Sequence, residues 1–145
     1  MQGILTFPAM PPLRCILLVD DDPTTNYLNR KLLTKLGVTD HVLTALNGQE
    51  ALAAVHTHCH EDSATHPDLI LLDVNMPLMN GFEFLAAYRE LPPAQQQATV
   101  VVMLTSSLHP RDVERAQHLP IAGFITKPLT ADKITDLIQA HFALA

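Results

Sequence analysis

The sequence predicts an α/β fold in which five parallel strands are covered on both faces by five helices. Three observations carry this. Strand-like and helix-like segments alternate five times from about residue 14 onward. Four of the strand segments are continuous apolar runs, which suit strands buried on both faces rather than half-exposed ones. Each of those four runs also ends in a residue that can carry chemistry. Cys15-Ile16-Leu17-Leu18-Val19 ends in Asp20, Leu69-Ile70-Leu71-Leu72 in Asp73, Val100-Val101-Val102-Met103-Leu104 in Thr105, and Ile121-Ala122-Gly123-Phe124-Ile125-Thr126 in Lys127. In a parallel sheet all four ends converge on one rim.

The elements follow in order. Residues 1–12 read as an irregular leader broken by Pro8, Pro11 and Pro12, and one domain spans 13–145. The first strand is about 14–20. Asp22-Pro23 starts a helix, with Asp22 as N-cap and proline at the first helical position. Leu28, Leu32, Leu33 and Leu36 recur at helical spacing, and Gly37 stops the helix. A second strand is expected at about 41–46. Asn47 with Glu50 three residues on resembles a capping box for a helix running to about His58. Residues 59–66 form a polar loop, and strand three is about 68–73. Asn80-Gly81 opens a helix from about Phe82 to Leu91, which Pro92-Pro93 ends. Strand four is about 98–105, and a helix with a weak apolar stripe (Val113, Ala116, Leu119) follows at about 110–119. Strand five is about 121–126. Thr130 caps a last helix whose Ile134, Leu137, Ile138 and Phe142 share one face.

Composition narrows the function. The 145 residues are about the size of one domain. A formal net charge of −6 argues against nucleic acid or an anionic membrane as the main partner. Two cysteines, Cys15 and Cys59, make no disulfide framework, and no apolar stretch reaches the roughly 20 residues needed to span a bilayer. A cytoplasmic setting is expected. His56, His58, Cys59 and His60 invite a metal reading, but a solvated helix end explains them better, since no third ligand is placed beside them. Asp112, Glu114, Arg111 and Arg115 read as a solvated helix face.

The rim residues suit phosphoryl transfer. In open α/β sheets ligands bind beyond the carboxyl ends of the strands. Asp20, Asp21 and Asp73 clustered there would repel one another, and a hard divalent cation removes that cost. A lysine and a threonine hydroxyl add a fixed positive charge and a donor for an anionic oxygen. Carboxylates can act as nucleophiles toward phosphorus. Asp73, alone at the end of its strand with Asn75 just beyond, is the expected nucleophile. Asp22 is better read as a helix cap.

The pattern ILLVDDDP, LILLDVNMP followed by NG, VVMLTSS and GFITKPL resembles the receiver domain of two-component response regulators, over about 13–143 and with all elements in order. The resemblance implies a single-domain, chemotaxis-regulator-like chain with a flavodoxin-like doubly wound sheet. Its strand order, 2-1-3-4-5, is borrowed from the family rather than read from spacing. It implies that Asp73 accepts a phosphoryl group from a histidine kinase or histidine phosphotransfer protein. It implies Mg²⁺ held directly by Asp21, mainly through water by Asp20, and by Asp73 and the backbone carbonyl of Asn75. It also implies that Thr105 donates to the phosphoryl group and shifts toward it. Lys127 pairs with the phosphoryl group or with Asp73, and the Lys127-Pro128 bond is cis. Asn75 and Ser107 tune dephosphorylation by water. The switch residues are Thr105 and an aromatic, commonly tyrosine, that is here Phe124 and has no hydroxyl. The signal is expected to leave through a protein contact on the fourth helix, fifth strand and fifth helix, about 109–142, a face that also suits a homodimer. The chain is then no enzyme beyond its own phosphorylation and dephosphorylation. Three rivals are weighed against this reading. One is a Mg²⁺-dependent phosphohydrolase, which would want an acid where Asn75 stands. The others are a constitutive interaction module and a receiver fragment of a hybrid histidine kinase.

Overall fold

The computed structural model describes residues 13–58, 63–96, 99–106, 110–116, 118–119 and 121–142. The leader, Cys59, His60 and Ser107 lie outside these residues. Five strands, β1 (Ile16–Val19), β2 (Val42–Ala45), β3 (Leu69–Asp73), β4 (Val100–Thr105) and β5 (Gly123–Thr126), form one parallel sheet in the order β2-β1-β3-β4-β5. The helices are α1 (Pro23–Leu36), α2 (Gly48–His58), α3 (Gly81–Arg89), α4 (Pro93–Gln96), α5 (Pro110–Ala116) and α6 (Ala131–Phe142). The α/β class and the strand order agree with expectation. The one addition is α4, a single turn: α3 ends with its cap at Glu90, and Pro93 starts this turn instead of merely stopping α3.

Side chains alternate across each strand, so a sheet buried on both faces makes two cores. Leu17, Val19, Ile70, Leu72, Val101 and Met103 face Ala51 and Val55 of α2 and Phe82, Phe84, Leu85 and Tyr88 of α3. Ile16, Leu18, Leu69, Leu71, Val102 and Leu104 face Leu33 of α1 and Ile134, Leu137 and Ile138 of α6. Each apolar run therefore splits between opposite cores, which is why it shows no polar alternation. Phe142 packs at the margin of the second core, as do Leu32 and Leu36. Leu28, by contrast, is 57% exposed and does not belong to the stripe that its spacing suggested.

The helix ends obey local chemistry. Asp22 caps α1 by accepting from the Thr24 amide, Pro23 opens the helix, and Gly37 closes it at φ 67°. At α2 the Asn47 side chain accepts from the Glu50 amide, but Glu50 reaches back to the amide of Leu46 and not that of Asn47, so the box is displaced by one residue. The full capping box lies at α3, between Asn80 and Glu83. Thr130 accepts from the Lys133 and Ile134 amides at the start of α6.

Two glycines differ in what they would tolerate. A Cβ on Gly81 would stand 2.5 Å from the carbonyl oxygen of Asp73, a main-chain atom that cannot step aside. Gly37 has open space around it, and its only obstacle is the left-handed backbone. Gly81→Ala is therefore expected to cost about 1–3 kcal/mol through overpacking, and Gly37→Ala about 1–2 kcal/mol through backbone strain alone. Urea unfolding measures both. Only Gly81→Ala should also disturb the amide resonances around Asp73.

Candidate phosphoryl-transfer site

The rim is built from strand register. Val19 pairs with Leu72, Asp73 with Leu104, and Thr105 with Thr126. Asp20 thus emerges from β1 beside Asp73 at the end of β3, with Thr105 and Lys127 on the next two strands. Burial follows from position: Asp20 is 3% exposed, Thr105 5% and Asp73 6%, whereas Asp21 faces solvent.

Lys127 joins the two buried carboxylates. Its Nζ lies 2.7 Å from Asp20 Oδ2 and 3.3 Å from Asp73 Oδ1. Its backbone amide donates to the Thr105 carbonyl at 2.8 Å, and the Lys127-Pro128 bond is cis. A carboxylate oxygen from each of Asp20, Asp21 and Asp73 falls within a 4.8 Å cluster. Among the described residues this is the only such group of acids, cysteines or histidines. His58 turns instead to the Thr65 hydroxyl, at 2.8 Å.

The charges do not balance within the site. Three carboxylates face one ammonium, leaving two negative charges in excess. Burial raises the Asp73 pKa above 3.8; Lys127 works against this, and the Asp20 and then the Asp21 charges add to it. For Lys127, burial alone would lower the pKa. The hydrogen bond to Asp20 and the charges of Asp73 and Asp20 outweigh it, and the net shift is upward from 10.5. Asp22 is held below 3.8 by the Thr25 hydroxyl and the Thr24 amide, in keeping with a cap. The donor set fits Mg²⁺. It offers only hard oxygen ligands, two of the carboxylates are fixed by burial, and the excess of two charges equals that of the ion.

Two residues that build the site are easily missed in the sequence. Asn26, buried on α1, donates through Nδ2 to the carbonyls of Asp20 at 3.0 Å and Ala45 at 3.2 Å. It holds the chain where β1 hands over to the acids. Its signal is a polar residue seven before Leu33, on the inward face of the helix. Gly81 donates its amide to the Val74 carbonyl at 2.9 Å and brings α3 against the main chain of Asp73. Asn75 is exposed just beyond β3, and Ser106 is exposed after Thr105. Phe124 is half-buried and packs at the margin of the first core.

Residues 16–139 match the family model of the response regulator receiver domain. The chain belongs to that family. It is 32% identical over 126 residues to an uncharacterized 14.6 kDa protein of Leptolyngbya boryana, covering 87% of this chain and 88% of that one. It is 31% identical to the response regulator Rcp1 of Synechocystis, covering 88% and 86%. Sensor protein EvgS of Escherichia coli is 34% identical over 92% of this chain, which spans only 10% of the sensor's length. Among solved structures, a two component response regulator from Cytophaga hutchinsonii superimposes with a TM-score of 0.79 at 26% identity, covering 90% of this chain and 97% of that one. This receiver is a phosphorylation-controlled switch of two-component signalling, and the phosphohydrolase reading gives way to it. None of its described helices is long and apolar enough to cross a membrane.

The shifted groups set a pH dependence. Folding raises the proton affinity of Asp73, so its ionised form costs the receiver stability above pH 3.8, increasingly as pH rises through the folded pKa. Lys127 acts oppositely: its contribution is complete below 10.5 and is lost as pH rises through its higher folded pKa. Asp73→Asn is therefore expected to raise the denaturation midpoint at neutral pH, with Lys127 still held by Asp20. That gain should shrink as pH falls toward about 4. Chemical denaturation at the two pH values measures it; an unchanged midpoint at neutral pH contradicts it.

Proposed function

We propose that Asp73 is the phosphoacceptor, that it is charged by a histidine kinase or histidine phosphotransfer protein, and that the signal leaves by protein contact. The observation that carries the proposal is the Lys127 ammonium, shared between buried Asp20 and Asp73 inside a carboxylate cluster with two charges in excess. A carboxylate so placed is poorly solvated, and desolvation favours reaction with an electrophile.

The roles follow. An Asp73 oxygen attacks phosphorus; the new O–P bond forms as the P–N bond of the donor phosphohistidine breaks, and the imidazole leaves and takes up a proton. Asp21 directly, Asp20 mainly through water, Asp73, and the Asn75 carbonyl are the residues that would hold Mg²⁺. When bound, the ion supplies neutralising charge for the phosphoryl oxygens. Lys127 exchanges its contact with Asp73 for one with the phosphoryl group. Thr105 donates its hydroxyl to the same group. Asn75 and Ser107 meter hydrolysis by water. The only chemistry the chain promotes is thus the formation and loss of its own acyl phosphate.

Output is assigned to the face of α5, β5 and α6, by which copies of the chain could also pair. A groove of about 360 Å³ lies there, lined by Phe124, Ile125, Thr126, Lys133, Asp136 and Leu137. Phe124 thus touches both the core and the groove. Its movement would change the groove by packing alone, without the hydroxyl of a tyrosine. Phosphorylation biases an existing equilibrium between two arrangements of this face. The similarity to EvgS, a sensor protein, supports a phosphorelay setting, and we place the receiver in the cytoplasm with the donor.

Incubation with phosphoramidate and Mg²⁺ should add one phosphoryl mass to the wild-type chain and none to Asp73→Asn. Equal labelling of the two would sink the acceptor assignment. Asp21→Ala should weaken Mg²⁺ binding by at least ~10-fold, the lower end of what even outer-shell changes cost, as read by calorimetry. Hydrogen exchange with and without a beryllofluoride adduct should differ across the 109–142 face; identical exchange there removes the proposed output face.

A further inference from the structure

Lys127 sits in a loop that a second lysine grips from outside. Lys133, in the first turn of α6, donates from Nζ to the Thr126 carbonyl at 2.7 Å and to the Pro128 carbonyl at 3.0 Å. These carbonyls lie on either side of Lys127. On the inner side the loop is fixed by the Lys127 amide on the Thr105 carbonyl and by buried Leu129. Lys127 is therefore held at its own amide from within and at both neighbouring residues from without. Among the described residues, Lys133 is the side chain that donates to both carbonyls.

The consequence bears on the chemistry. Lys127 has a long, flexible side chain, so where its backbone is anchored bears on where the ammonium can go. Its Nζ must stay within reach of Asp20 while meeting Asp73 at 3.3 Å. Without the clamp, two carbonyls turn toward water and the main chain on both sides of Lys127 gains freedom. We infer that Lys133 is a positioning residue: it fixes the main chain around Lys127 and so sets where the Lys127 ammonium meets the phosphoryl group at Asp73. This rests on the reading of Asp73 as acceptor and Lys127 as its partner. Lys133 touches neither the carboxylates nor the phosphoryl group, and its effect passes through Lys127.

A double-mutant cycle tests it. Phosphoramidate labelling in Mg²⁺ is timed by intact mass for wild type, Lys133→Met, Lys127→Met and the double variant, at a temperature where circular dichroism shows each folded. Lys133→Met should slow labelling by about tenfold, the scale expected for sub-ångström misplacement of a charge. Lys133→Arg, which can still donate to both carbonyls, should stay within about threefold of wild type. The double variant should be no slower than Lys127→Met alone. A wild-type rate in Lys133→Met overturns the inference, and so does an equal loss with and without Lys127, which would mark a role in stability only. If Lys133→Met does not fold, Lys133→Gln carries the same comparison. Undiminished labelling of Asp73→Asn would instead overturn the acceptor reading, and this inference with it.

Discussion

Two carboxylates, Asp20 and Asp73, are buried at the ends of neighbouring strands, and one ammonium is shared between them. Much of the molecule bears on that arrangement. Taking the acids out of water is costly, and a single lysine offsets only part of the cost. The sheet must therefore be stiff enough to hold the acids together. Its parallel register does this, because β1, β3 and β4 run through two cores and cannot slide without exposing both. Asn26 and Gly81 then fix the main chain as it leaves β1 and β3.

The charges at the rim are left unbalanced. A site with matched charges would be a structural ion pair. Here two negative charges remain in excess on a set of hard oxygen ligands, which fits a divalent cation. Lys127 carries the positive charge that the two buried acids share, and it follows β5, whose Phe124 and Thr126 line the groove with Lys133. On the function proposed above, a rearrangement of that ammonium would lie beside the output face.

Much of this could be read from the chain in order. The four apolar runs and their terminal residues, the cap at Asp22, the stop at Gly37 and the inward face of α6 depend on hydrogen bonds and periodicities spanning a few residues, which a linear reading sees. Other features were not legible in this way. Leu28 fits the helical stripe by spacing, yet α1 turns it outward because Asn26, a polar residue, takes an inward position. Residues 63–66 are loop as expected, yet His66 within them is buried, with its Nε2 3.2 Å from the Thr99 hydroxyl. Pro93, read as a stop, begins α4.

The sequence by itself determined which chemical groups stand at the ends of the strands and in what order the elements come, because backbone hydrogen bonding and hydrophobic period act locally. Only the tertiary structure decided how those groups share charge. Lys127 and Asp20 are 107 positions apart and meet at 2.7 Å because β5 and β1 lie in one sheet. Which acids lose water, which one is left exposed, and which lysine steadies the other are properties of distance and burial. Neither is written in the spacing of residues along the chain.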